Sequence, residues 1–244
     1  MLTSASTSNS KAKSKGVNVN DDNHATSLYR SPIGKKLLTG MTGLGLVTFV
    51  LVHVAGNLTL FFSASAYNQL AHLIEQLGPL LLFIEFVLLA MVLVHAGVGL
   101  SIYLGKQRAR QVAYSEYESA GTPSRQTLAS RSMIFSGVLL GAFLVAHLAT
   151  FKFGKVYTLP GSSDRDLARL VFEVFQRPGY TAGYVVVLSG LGLHLRHGIW
   201  SALQSLGVAT KPGVFAASAV LGGAIALSFI GLPLAIYFGF VGLN

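Results

Sequence analysis

The chain has no cysteine. That one absence excludes disulfides, thiolate zinc sites, cysteine-held iron–sulfur clusters and covalent c-type haem attachment. Charge is scarce as well: Asp, Glu, Lys and Arg make up 11% of the 244 residues, against about 25% in a soluble domain. With 52% hydrophobic residues and a mean hydropathy of +0.58, too few polar side chains remain to cover a water-facing surface. The composition is that of an integral membrane protein. Acids are the scarcer sign, nine against 18 Lys and Arg, for a net charge of +9. The basic residues cluster between apolar runs, as cytoplasmic loops do under the positive-inside rule, so the surplus points to a lipid bilayer and not to nucleic acid. Residues 1–28 lack the apolar core of a secretory signal; Ser-, Asn- and Lys-rich, they read as a disordered cytoplasmic tail.

Apolar runs of the roughly 20 residues that a bilayer requires occur five times, near 34–62, 79–105, 132–152, 179–207 and 213–240. The expected fold is an all-α bundle of five transmembrane helices over residues 29–244. Pro32, Pro79, Pro178 and Pro212 stand at or just before the start of a run, where a missing N–H costs nothing; Pro233 lies inside the last. Placing the N-terminus inside assigns 13 Lys and Arg to cytoplasmic segments and five (Lys152, Lys155, Arg165, Arg169, Arg177) to the outer side, so the N-terminus is expected in the cytoplasm and the C-terminus outside. In the outer loop 153–178, Leu167, Leu170, Val171 and Val174 recur at helical spacing, which predicts a helix lying on the membrane surface.

Five of the seven histidines fall within these runs: His53, His95, His147, His194 and His197. Ionisable residues inside a membrane read as functional. A lone one is equally well a core histidine bonded to a helix carbonyl, but one on each of four successive helices is not a pattern that packing produces. Depth separates them into two sets. At 1.5 Å per residue, His53 lies roughly 25 Å from Lys36 and His147 roughly 24 Å from Arg131, toward the outer side. His95 is about 16 Å from Lys106 and His194 some 15–20 Å from the end of its run, at a second, inner level. Two pairs at two levels suit two stacked haems, each iron held by two neutral imidazoles. Glycines admit a flat macrocycle between helices: Gly43 and Gly56 share the side of His53, Gly99 follows His95, Gly137 lies on the side of His147, and Gly183, Gly190, Gly198 and Ser201 on that of His194. Depth leaves His194 and His197 open as alternatives.

The stretches Phe49–Asn57 (FVLVHVAGN), Val92–Gly99 (VLVHAGVG), Phe143–Phe151 (FLVAHLATF) and His194–Val208 (HLRHGIWSALQSLGV) resemble the cytochrome b membrane anchor of succinate dehydrogenase and fumarate reductase, in its single-chain, five-helix, dihaem b558-type form. The resemblance runs over roughly residues 29–240. It implies two haem b groups bound crosswise, His53 with His147 and His95 with His194, and places His197 at a haem edge. It implies partners too: a flavoprotein subunit for succinate, an iron–sulfur subunit feeding the inner haem, and a membrane quinone, menaquinone above ubiquinone, in a prokaryotic cell membrane. Fumarate reductases of this type that couple to proton movement carry a glutamate shortly before the fourth ligand; here Leu191, Gly192 and Leu193 stand there.

Haem propionates need cationic or hydroxyl partners, for which Arg196, Arg131 and Lys152 are candidates. The loop 106–131, with Lys106, Arg108, Arg110, Tyr114, Glu116, Tyr117 and Glu118, offers a cytoplasmic docking face for the iron–sulfur subunit. A quinone needs hydrogen-bond donors and a proton source. Asn57, one turn beyond His53, and Asn68, His72 and Glu75 in the first outer loop supply donors, and Glu85, the one acid inside an apolar run, is a proton-path candidate. Nitrate reductase and formate dehydrogenase anchors gather their ligands on fewer helices. A haem-free transporter would show no visible absorption.

Overall fold

A computed structural model of the chain describes residues 31–109, 128–208 and 212–243. The expected tail, the greater part of the 106–131 loop and Lys211 lie outside them. Five long helices correspond to the five apolar runs: α1 (Pro32–Leu58), α3 (Pro79–Ala109), α5 (Met133–His147), α7 (Pro178–Ser205) and α8 (Pro212–Tyr237). Shorter ones lie between them, α2 (Ala64–Glu75), α4 (Leu128–Arg131) and α6 (Leu167–Phe175). Among the described residues the structure is all-helical, with a single isolated β-bridge between Thr158 and Arg165. Four of the long helices, α5 taken together with the residues that continue it to Lys152, are long and apolar enough to cross a membrane; α7 matches them in length but is less apolar.

Each proline expected at a helix start is the first residue of its helix. At α1 the Ser31 hydroxyl also accepts the Gly34 amide at 2.9 Å, which satisfies one of the first-turn N–H groups. Helix α8 runs on through Pro233. The third span ends differently. Directly after His147 the chain widens into a π-helical turn, Leu148–Lys152, a feature that clusters at functional sites. It is followed by Gly154, where a Cβ would stand 2.0 Å from the Thr150 carbonyl oxygen, so no other residue fits there unless the turn changes.

The helices α1, α3, α5 and α7 form a four-sided bundle in that order. Packing is close along α1–α3, α1–α7 and α5–α7, sparse along α3–α5, and scarcely present between the backbones of the diagonal pairs α1/α5 and α3/α7. Helix α8 lies outside, packed most extensively on α7 and also on α1. Small residues set that approach: a Cβ on Gly222 would come 2.9 Å from the Arg196 backbone nitrogen, and one on Gly192 3.0 Å from Ala226 Cβ.

One end of the bundle is capped by α2 and α6. The helix expected in the loop 153–178 is present, started by Asp166, whose carboxylate accepts the Arg169 amide. Its apolar side does not lie on the membrane. Leu170, Val171, Phe172, Val174 and Phe175 are buried against Leu60, Tyr67, Leu232 and Ile236, so the stripe pays its way against protein and not lipid. Helix α2 was not expected. Ser63 caps it by accepting the Ala66 amide at 2.9 Å, and Asn68 ties it to α6, donating to the Asp166 carboxylate at 2.9 Å and accepting the Ala168 amide at 2.8 Å.

Candidate functional site

The four histidines lie on the bundle diagonals. His53 on α1 faces His147 on α5, ring centroids 5.9 Å apart. His95 on α3 faces His194 on α7 at 6.2 Å. The levels follow from helix rise. His53 sits roughly 8 Å from the capped end of α1 and His147 ends α5 five residues before the end of the π-helical turn, while His95 and His194 sit about 24 Å from Pro79 and Pro178, the capped ends of their helices. The pairs that the depth arithmetic groups are therefore the pairs that meet across the bundle.

These distances fit a metal between the rings. With about 2 Å from nitrogen to metal, the length of zinc–imidazole bonds, and about 1 Å from nitrogen to ring centre, two trans imidazoles have centroids about 6 Å apart. The donor set is the one that holds b-type haem. Two glycines lie against imidazole rings, but not those of their own helices. A Cβ on Gly43 of α1 would meet His95 Cε1 at 3.1 Å, and one on Gly137 of α5 would meet His194 Cε1 at 3.6 Å. Both serve the second pair, across the bundle, and not His53 and His147. Gly99, Gly183 and Gly198 have no atom within 4 Å of a Cβ position.

Second partners orient three of the rings. His95 Nδ1–H donates to the Thr39 carbonyl at 3.2 Å. The Ser136 hydroxyl donates to the Ser132 carbonyl at 3.0 Å, which leaves its oxygen to accept His194 Nδ1–H at 3.0 Å. His147 Nδ1 lies 3.0 Å from the Tyr184 hydroxyl. In each case Nε2 is left for a metal, the arrangement metal-binding histidines use. Among the described residues no hydrogen bond reaches the His53 ring, which is stacked on Phe49 and tilted against Phe229. Sequence reasoning missed Thr39, Ser136 and Tyr184, since a hydroxyl or carbonyl in an apolar run carries no signal until the helices are docked.

The fifth histidine stands apart. His197 is next to Trp200, centroids 5.9 Å apart, and its buried Nδ1 has no hydrogen-bond partner among the described residues. Of the propionate candidates, Lys152 pairs with Glu85 across the sparse α3–α5 side, Arg196 lies over Phe215 of α8 at 5.9 Å, and Arg131 is exposed at the end of α4. A further cation, Arg165, contacts the turn after His147. Arg165 donates from Nη2 to the Phe151 carbonyl at 2.7 Å, its buried Nε has no hydrogen-bond partner among the described residues, and the Phe151 ring centroid is 5.2 Å from that of His147.

The quinone candidates divide. Asn57 donates to the His53 carbonyl at 2.8 Å, and the Tyr67 hydroxyl donates to its Oδ1 at 3.5 Å. Burial pushes that hydroxyl up to about 12, so Tyr67 stays a donor. Asn68 belongs to the α2–α6 tie. His72 faces Asp164 at 3.5 Å and Gln76 at 2.9 Å, and Glu75 is exposed. Glu173 is the hub of a surface network with Tyr157, Lys155 and Arg177. Hydrogen bonds from Tyr157 first and Lys155 second hold its carboxyl at about 2, which makes it no proton carrier near neutrality.

Compared with family models, with curated proteins and with solved structures, the chain has no match.

Proposed function

We propose that this chain is the dihaem cytochrome b membrane anchor of a succinate:quinone oxidoreductase. In this reading it crosses a prokaryotic cell membrane five times, passes electrons between an iron–sulfur subunit and membrane quinone, and holds that subunit and a flavoprotein at the membrane. The observation that carries it is the pair of diagonals: two opposed imidazole pairs, about 6 Å from ring to ring, at two levels of one bundle. Haem, when bound, would supply reversible one-electron chemistry. The chain supplies the rest. His53, His147, His95 and His194 would hold the irons, Ser136, Tyr184 and the Thr39 carbonyl orient three of those rings, and Phe49, Phe143, Phe151 and Phe229 pack against the rings of the first pair. Arg165 is the cation placed to meet a propionate at the capped end.

The same reading makes the capped end the outer one. Asn57 and Tyr67 there would present hydrogen bonds to a quinone head, menaquinone being favoured by the resemblance. Succinate chemistry belongs to the partner subunits.

Purification from membranes in mild detergent tests this. The expected preparation contains two b haems per chain, fully removed by acid acetone because no thiol holds them, together with a flavoprotein and an iron–sulfur protein. A haem-to-chain ratio near one or zero, or haem retained after extraction, overturns it. The orientation has its own test. A reporter fused after Asn244 should be active outside the cytoplasmic membrane, and activity in the cytoplasm would reverse the topology.

A further inference from the structure

Among the described residues, Tyr184 carries the one hydroxyl in the ring cluster around His147. Phe143 and Phe175 hold its ring edge-on, each at 4.9 Å between centroids with interplanar angles of 76° and 83°, and Phe151 stands at right angles to it at 6.3 Å. These neighbours come from three elements: α5, the π-helical turn after it, and α6. So clamped, the ring directs Oη to 3.0 Å from His147 Nδ1. An imidazole that gives its Nε2 lone pair to a metal keeps its proton on Nδ1, so His147 donates this bond and Tyr184 accepts it. Such an acceptor makes the ligand more basic. Greater basicity favours the oxidised metal and lowers its potential.

We propose that Tyr184 is the positioning residue of the His53–His147 pair, fixing the His147 ring and holding down the potential of the group bound there. The inference rests on the dihaem reading and adds to it a residue with a measurable effect. Ser136 has the corresponding place on His194, at the other level and on another helix. The two centres are therefore tuned by separate hydroxyls. Because Phe175 belongs to α6, docking of the cap also holds Tyr184 in place.

The test uses the intact complex, purified with Tyr184→Phe or Ser136→Ala and titrated potentiometrically by haem absorbance, with low-spin electron paramagnetic resonance alongside. The haem lost in His147→Ala identifies the centre concerned. Phenylalanine keeps every ring contact and removes only the oxygen. Tyr184→Phe should retain two haems and raise the potential of the His147-dependent one by about tenfold in its reduction equilibrium, ~59 mV for one electron, leaving the other unmoved. Ser136→Ala should shift the other one. Loss of the His147-dependent haem alone in Tyr184→Phe also supports the proposal. It is overturned if both potentials stay within about twofold of the unaltered complex, if both variants move the same haem, or if Tyr184→Phe loses both haems. Absence of haem from the unaltered complex would overturn the functional reading instead, a result this comparison keeps separate.

Discussion

His194→Ala should leave the complex with one b haem per chain in place of two, while His197→Ala keeps both. Only three residues separate these histidines on α7, yet their surroundings differ. The His194 ring is opposite His95 at 6.2 Å and donates to Ser136 at 3.0 Å. The His197 ring packs beside Trp200, and among the described residues no imidazole faces it. Losing an outer partner of a metal ligand typically costs 10- to 100-fold in metal affinity; losing the ligand itself would remove one of the two imidazoles that would hold the iron. The diagonals extend the expectation to pairs. His95→Ala should remove the same haem as His194→Ala, and His53→Ala and His147→Ala should both remove the other. A pyridine haemochrome assay with difference spectra reads all five variants. Haem loss in His197→Ala with both haems retained in His194→Ala would reverse the ligand assignment.

The pairing of the histidines is legible in the sequence because a helix advances by a constant rise, so counting from charged ends converts position into depth. Lateral position is not encoded that way. Gly43 shares a helix with His53 but packs on His95, and Gly137 shares one with His147 but packs on His194; assigning a glycine to the histidine of its own helix ignores the neighbour across the bundle. The same gap hides Tyr184 and Ser136, whose partners are 37 and 58 residues away. The amphipathic stripe of α6 is visible as a pattern, but apolar spacing does not say whether lipid or protein will cover it. Helix α2 is short and mixed in composition, and its order comes from the Ser63 cap, a local bond, and the Asn68 bridge to a residue 98 positions away, neither of which periodicity registers. Glu85 stands out as an isolated acid, but its partner Lys152 is 67 residues on.

Those placements sharpen the expectation for quinone reduction. Turning a quinone into a quinol takes two electrons and two protons, so its site needs donors at the carbonyl oxygens and a route to a proton. At the capped end Asn57 is anchored to the His53 carbonyl and within reach of Tyr67, so its amide is held next to the first pair. Glu85 and Lys152 form the polar contact on the sparse α3–α5 side, one and a half turns beyond His147 on α5 and its continuation. His72 and Glu75 lie further out, the first against Asp164 and the second in the open. Asn57→Ala and Glu85→Gln should therefore lower succinate:quinone reductase activity by about 10- to 100-fold, the lower range for groups that position or transfer a proton, with both haems present and dye reduction by the partner subunits intact. His72→Ala and Glu75→Gln should change it less than about threefold, within what an exposed side chain contributes. With the capped end outside, protons would be taken from the outer side while electrons move outward, and quinone reduction in sealed vesicles would slow when an ionophore collapses a membrane potential that is positive outside. Full activity in all four variants would place quinone reduction at the opposite end, next to the iron–sulfur subunit, and leave the His53–His147 pair outside the electron path.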